Sequence, residues 1–577
     1  MLRIFRSPKA DFKRDAELAD EVYTEDALKA LADAGFNAIW VRAICRELLK
    51  NPKYPAFGQG SEKSLASLNR VIERGARCGM QLVIYCQEPF GLDVDDPFWE
   101  QHPDMAGATW DHNYGSVDKP LYMRAMCVSS EPVRELLTVS CEELLRRVPG
   151  VAAVITITAS EYMSHCYSHY ATNPPPNPKR PPLDCPRCRE RPATDVVVDV
   201  LHCMRQGMNA ADASVPLIAW NWSWCMYEPD PQPNIISRLD PGIDVLADFE
   251  RGDVKTDPTG RKIEINEYSL SFAGPSERFT KTRQAALDHG CRVYAKLQLS
   301  TTHELGSVSN IPLINNIYGK AKAFRELGLS GFMGCWNFGN ELTLNTDAFN
   351  FFLSPDCPQD RTKALTALAR RAFPGCDPPA ILAAWTKFSE AFDYYPFSIP
   401  FLYWSPMNYA LALPMRPCPT HDKRIGRSWL LDPRDDNDDP AASFGPFTPE
   451  DIADRFATMV GLWGEGLAAY ERGLNPATGD KDKELGAARA VYASVRSIRN
   501  YYRLHLLKRV WRDDFLPQFQ EIVEDEAGVL EDAIPVYEND PRQGFHSEAH
   551  GYMVTPDLMR RKRDMLLTHL RSRAPRL

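Results

Sequence analysis

Five short stretches carry side chains that could do chemistry: Ser160-Glu161, Trp220-Asn221-Trp222, Asp248-Phe249-Glu250, His303-Glu304 and Trp336-Asn337. Carboxylates mixed with indoles and amides suit hydrolysis of a glycosidic bond. That reaction needs one protonated carboxyl group to release the leaving oxygen and one ionised group to attack or to activate water. Sugar rings stack their C–H faces on indoles, while Asn, Gln and His satisfy the hydroxyls. The expected pair is Glu161 as acid/base and Glu304 as nucleophile of a double displacement. Asp248 or Glu250 is the alternative partner of Glu161, acting through a water and inverting the anomeric centre; Glu341 is a further candidate. Trp220, Trp222 and Trp224 alternate, which on an extended strand points them the same way. Tyr268, Gln298, His303, Trp336, Asn337 and Asn340 are expected to contact the sugar. Arg42 could serve an acidic sugar or a salt bridge.

These residues need a scaffold that gathers distant segments. Eight short apolar runs supply it: Leu2–Phe5, Asn37–Val41, Gln81–Cys86, Val151–Ile157, Pro216–Trp220, Ile243–Asp248, Val293–Leu299 and Gly331–Trp336. Such runs, mostly separated by helical stretches such as Glu25–Ala34 and Glu62–Cys78, read as parallel strands covered on both faces. Eight of them predict an α/β fold, a (β/α)8 TIM barrel whose chemistry sits at the strand C-terminal ends. The named carboxylates follow the runs at those ends. Two long excursions, Glu88–Tyr122 and Tyr162–Pro192, follow strands three and four and should decorate the same face.

Past residue 355 the pattern changes. Thr362–Phe373, Ala380–Phe392, Pro449–Arg472, Lys481–Val510 and Pro556–Leu570 have helical periodicity, and Thr448-Pro449-Glu450-Asp451 is a strong helix start. The expectation is a catalytic barrel over 1–355 and an all-α domain over 356–577. Between the early helices, Tyr394–Met415 is dense in aromatics, suited either to burial or to closing a sugar pocket.

The chain has 577 residues, 44% hydrophobic, with a net charge of −10. That charge argues against nucleic acid or an anionic membrane as partner. No apolar stretch approaches the roughly 18 residues of a membrane span, and the first residues lack a signal-peptide core. Several of the fifteen cysteines lie inside expected strands or helices. Buried, reduced thiols and a cytoplasmic location are therefore expected. Cys185-Pro186-Arg187-Cys188, with Cys166 and His169 upstream, has the ligand types and spacing of a structural zinc knuckle. Free thiols and a disulfide are the other readings. The two-carboxylate chemistry requires no cofactor. A metal-dependent barrel hydrolase using His165, His169 or His303, and a carbohydrate-binding barrel without catalysis, are the other classes considered.

Several segments resemble a family of bacterial glycosidase-like barrels associated with polysaccharide-degrading species. They are Thr158-Ala159-Ser160-Glu161 with the downstream Cys185–Cys188, Gly274–Phe279, Tyr294–Gln298 with Thr302-His303-Glu304, Gly334-Cys335-Trp336-Asn337 and Asp540–Glu548. The resemblance covers most of the chain and implies a barrel, a helical tail and a glycosidase-type site. It departs from the large retaining clan with glutamates on strands four and seven, which usually has Asn before the acid/base Glu, whereas Ser160 stands here. The reading that results is an exo-acting, retaining glycoside hydrolase on a small glycan.

Overall fold

The computed structural model describes residues 1–116, 119–159, 162–337, 341–416, 425–429, 438–510 and 512–571. Eight parallel strands close into a barrel: β1 (Leu2–Phe5), β2 (Ala38–Arg42), β3 (Gln81–Tyr85), β4 (Val151–Ile157), β5 (Leu217–Trp220), β6 (Ile243–Asp248), β7 (Val293–Lys296) and β8 (Gly331–Met333). Each strand pairs with its neighbours in sequence, and β1 closes on β8 through Leu2 opposite Gly331. All eight coincide with the apolar runs, because strands buried on both faces carry little polar punctuation. β2 and β6 through β8 are almost wholly buried. The last two stop earlier than the runs do, so Gln298 and Trp336 belong to loops.

Helix Glu62–Cys78 shows how a crossover is specified. Leu68, Val71 and Gly75 form its buried stripe, and it stops at Gly79, whose φ of 71° is open to glycine at little cost. The excursion after β3 folds into a three-stranded antiparallel sheet of Leu92–Asp93, Ala106–Ser116 and Lys119–Met126.

The chain forms two compact units. One comprises Met1–Phe249, Glu277–Lys296 and Leu329–Met333 and holds all eight barrel strands. The other comprises Glu250–Ser276, Leu297–Gly328 and Gly334–Leu577, so it takes in loops after β6, β7 and β8 together with the later helices. Its helix Pro449–Leu474 starts as expected, with the Thr448 hydroxyl accepting the Asp451 N–H at 3.1 Å. Helix Leu516–Asn539 was not expected. Pro517 occupies its first turn, where the missing N–H costs nothing, and Pro535 lies inside it. Two short hairpins, Val254–Thr256 with Lys262–Glu264 and Phe545–His546 with Gly551–Tyr552, are strands in a unit otherwise mostly helical. Most of the aromatic segment Tyr394–Met415 is core: Tyr395, Phe401, Leu402 and Met407 are at most 1% exposed. Among the described residues, no helix is long and apolar enough to cross a membrane.

Candidate functional site at the barrel strand ends

In the barrel unit the ends of β5, β6 and β7 meet around Asp248. The Trp220 indole N–H, at the end of β5, donates to Asp248 Oδ1 at 3.0 Å. Arg278 approaches Asp248 Oδ2 at 3.6 Å and donates from Nε to Asp230 at 2.9 Å. Gln232 donates to Asp230 and accepts from Asn221 Nδ2 at 3.3 Å, which returns the chain of contacts to β5. Register places Lys296, the last residue of β7, directly beside Asp248. Asp248 and Lys296 are 1% and 0% exposed. A carboxylate held by an indole donor and set beside a guanidinium is oriented and faces an opposite charge. Lys296 escaped the sequence reading; a lysine inside the apolar run Val293–Leu299 was its signal.

The alternation argument for the three tryptophans fails, because β5 ends at Trp220 and Trp224 begins a short 3-10 turn. Trp224 is fully buried and donates to Thr158 Oγ1 at 2.9 Å, so its indole is packing. Trp222 remains half-buried between them.

Arg42 ends β2. Its guanidinium donates to the Phe12 carbonyl at 3.1 Å and lies 4.5, 5.5 and 5.0 Å from the rings of Phe12, Phe90 and Tyr162. This cage holds Tyr162, the residue after Glu161, by cation–π attraction. Glu161 and Asn340 lie outside the described residues. Glu88, just past β3, is a buried carboxylate that sequence reading missed. It accepts the Cys45 and Phe90 backbone N–H groups at 2.6 and 3.0 Å, and burial pushes its carboxyl up.

The second unit holds the other expected residues. Glu250 pairs with Lys320, both side chains fully buried, and accepts the Gln298 N–H at 3.1 Å. Lys320 also donates to the Ser269 carbonyl at 3.1 Å. Replacing Lys320 by Met strands a buried carboxylate and should cost about 3–5 kcal/mol; a urea titration showing less than about 1 kcal/mol would remove the structural role.

Glu304 is fully buried and takes hydrogen bonds on both oxygens: from the Leu270 N–H at 2.9 Å and the Thr302 hydroxyl at 3.2 Å on one, and from the Ser271 N–H at 3.3 Å and the Ser271 hydroxyl on the other. Burial pushes its carboxyl up against those bonds, which opposes the ionised form a nucleophile needs. That bonding is the bonding of a loop clamp. His303 sits in an aromatic box, 4.5 Å from Tyr268, 5.2 Å from Tyr403 and 5.1 Å from Trp429, with Glu548 Oε2 3.6 Å from its Nε2. Trp336 is 3% exposed, and the half-buried Asn337 accepts the Ser547 hydroxyl on its carbonyl.

Cys166, Cys185 and Cys188 converge as expected, but their fourth companion is Cys127, at the end of the Lys119–Met126 strand, and not His169. Among the described residues, this is the group of metal-competent side chains that comes together. His165 is buried beside it with its Nδ1 accepting the Tyr167 N–H at 3.1 Å.

The fold and these strand ends define a (β/α)8 barrel carrying helices, with buried carboxylates at its C-terminal rim. No protein-family model and no curated protein matches the sequence. Solved structures do match. A GH138 enzyme targeting pectin rhamnogalacturonan II aligns over 99% of this chain and 67% of its own, with a TM-score of 0.57 at 10% identity. A mutant O-GlcNAc hydrolase of Thermobaculum terrenum aligns over 99% and 94%, with a TM-score of 0.38 at 13% identity. An α-L-fucosidase isoenzyme 2 from Paenibacillus thiaminolyticus aligns over 61% and 49%, with a TM-score of 0.36 at 13% identity. At such identities the first of these likenesses speaks for the fold.

Proposed function

We propose that the protein hydrolyses glycosidic bonds, with Glu161 as general acid and Asp248 as its ionised partner. The observation that carries this reading is Asp248 itself: a buried carboxylate at the end of a barrel strand, oriented by Trp220 and balanced by Arg278. A group so placed is aimed and faces a cation, the setting that the second, ionised carboxylate of a glycosidase requires. Glu161 enters from its place in the chain, four residues past the last residue of β4.

Asp248 is 1% exposed and bonded to the Trp220 indole, a setting that suits activation of a small water better than direct attack on an anomeric carbon. Inversion through that water is therefore the favoured outcome, and Glu304 is left as a clamp. The caged guanidinium of Arg42 serves Tyr162 and leaves no strong ground for an acidic sugar. The fold neighbour targeting pectin rhamnogalacturonan II directs the first trials to plant-type glycans, beside simple aryl glycosides.

The test is a screen of wild type and Glu161→Gln against aryl glycosides of neutral, N-acetylated and acidic sugars. Wild type should cleave one of them. The variant should lose about 10²–10⁴-fold on substrates with poor leaving groups, and far less where the leaving phenol needs no proton. Equal rates for both proteins on every substrate would reject Glu161 as the acid.

A further inference from the structure

The four-cysteine cluster of the barrel unit plays no part in that chemistry, and its geometry has a purpose of its own. Cys127, Cys166, Cys185 and Cys188 are at most 2% exposed, and their sulfurs all lie within 4.8 Å of one another. Cys127 Sγ is 3.6 Å from that of Cys185 and 3.5 Å from that of Cys188. A disulfide needs sulfurs at about 2.05 Å. A tetrahedral metal centre with bonds of about 2.3 Å sets sulfur–sulfur edges of about 3.8 Å. The observed spacing belongs to the second arrangement.

The surroundings supply what four thiolates need. The Ala108 N–H points to Cys166 Sγ at 3.4 Å, Arg187 Nε to Cys127 Sγ at 3.3 Å, and the Ser129 hydroxyl lies 3.3 Å from Cys188 Sγ. Donors of this kind, one of them cationic, offset the negative charge that four thiolates keep around a divalent ion. The Cys185–Cys188 turn is closed by the Cys188 and Arg189 N–H groups on the Cys185 carbonyl, at 3.3 and 3.0 Å. Gly107 makes room: a Cβ there would stand 2.7 Å from Cys166 Sγ.

We infer that Cys127, Cys166, Cys185 and Cys188 bind one zinc ion as a closed, structural four-thiolate centre. Four protein ligands leave no position for water or substrate, so the ion does not join the hydrolysis. Its effect is topological. Cys127 ends the sheet inserted after β3, Cys166 opens the long loop after β4, and Cys185 with Cys188 lies near the end of that loop. One ion thus fastens both excursions to each other and pins the excursion Tyr162–Pro192. Pinning shortens the free segment between anchors and lowers the entropy of ordering it.

The experiment is elemental analysis of the protein as purified, followed by exchange of the bound metal for Co²⁺. One zinc per chain is expected, with the strong visible bands and thiolate charge-transfer absorption of tetrahedral four-sulfur cobalt. Cys166→Ser and Cys188→Ser should each retain less than about a tenth of the zinc, while Cys203→Ser, outside the cluster, keeps it. Should the serine variants fail to fold, the cobalt spectrum of the wild type decides the ligand set by itself. Absence of metal with four titratable thiols, a disulfide within the cluster by mass, or iron in place of zinc would each overturn the assignment.

Discussion

Asp248→Asn will leave the protein folded and lower kcat by about 10²–10⁴-fold on whichever glycoside the wild type cleaves, with KM changed little. The substitution preserves shape. An amide oxygen can still accept the Trp220 indole N–H, now at 3.0 Å, and Arg278 keeps its bond to Asp230 at 2.9 Å. What disappears is the negative charge and the lone pair that take a proton from water. The loss should fall on kcat because the charge matters most when the anomeric carbon turns cationic, and binding of the ground-state sugar does not depend on it. Steady-state kinetics beside a thermal unfolding curve separates this from simple destabilisation. Product anomers followed by proton NMR in the wild type should show inversion. An Asn variant with wild-type kcat would make Asp248 part of the Trp220–Arg278 scaffold and nothing more.

The barrel was legible because parallel strands buried on both faces leave contiguous apolar runs, and each of the eight runs holds a strand. Strand ends were less legible. β5 stops at Trp220, short of the alternation through Trp224, and β7 stops at Lys296, short of the apolar run that ends at Leu299. Hydrophobicity records burial, and a buried loop after a strand is as apolar as the strand itself. The candidate site was readable as residue types at those ends, but partners were not. Asp248 owes its setting to Trp220, 28 residues earlier, and to Arg278 on the helix Glu277–Asp288. Cys127 joins a pair of cysteines about 60 residues downstream through a sheet that no local pattern announces.

Glu304 shows most sharply that type and place do not disclose partners. It is a glutamate following β7, yet both oxygens face donors of a distant loop, Leu270 and Ser271. Glu304→Ala should therefore behave as the loss of a buried acceptor. Two backbone N–H groups are left unpaired, each at about 1–3 kcal/mol, so stability should fall by about 2–5 kcal/mol, less than additive because both donors lie on one loop. Denaturant titration checks that value. Activity separates the roles. If Glu304 were the nucleophile, alanine would abolish turnover, and azide entering the vacated space would attack the anomeric carbon, restore turnover and yield a glycosyl azide. A clamp gives the reverse: the folded fraction keeps kcat within about tenfold, azide adds nothing, and no azide product forms. The raised carboxyl and the four donors favour the second result, since a nucleophile needs an ionised oxygen with a lone pair facing substrate. Rescue by azide, with an inverted glycosyl azide as product, would return the double displacement to Glu304, make the wild-type reaction retaining, and reduce Asp248 to holding Trp220 in place.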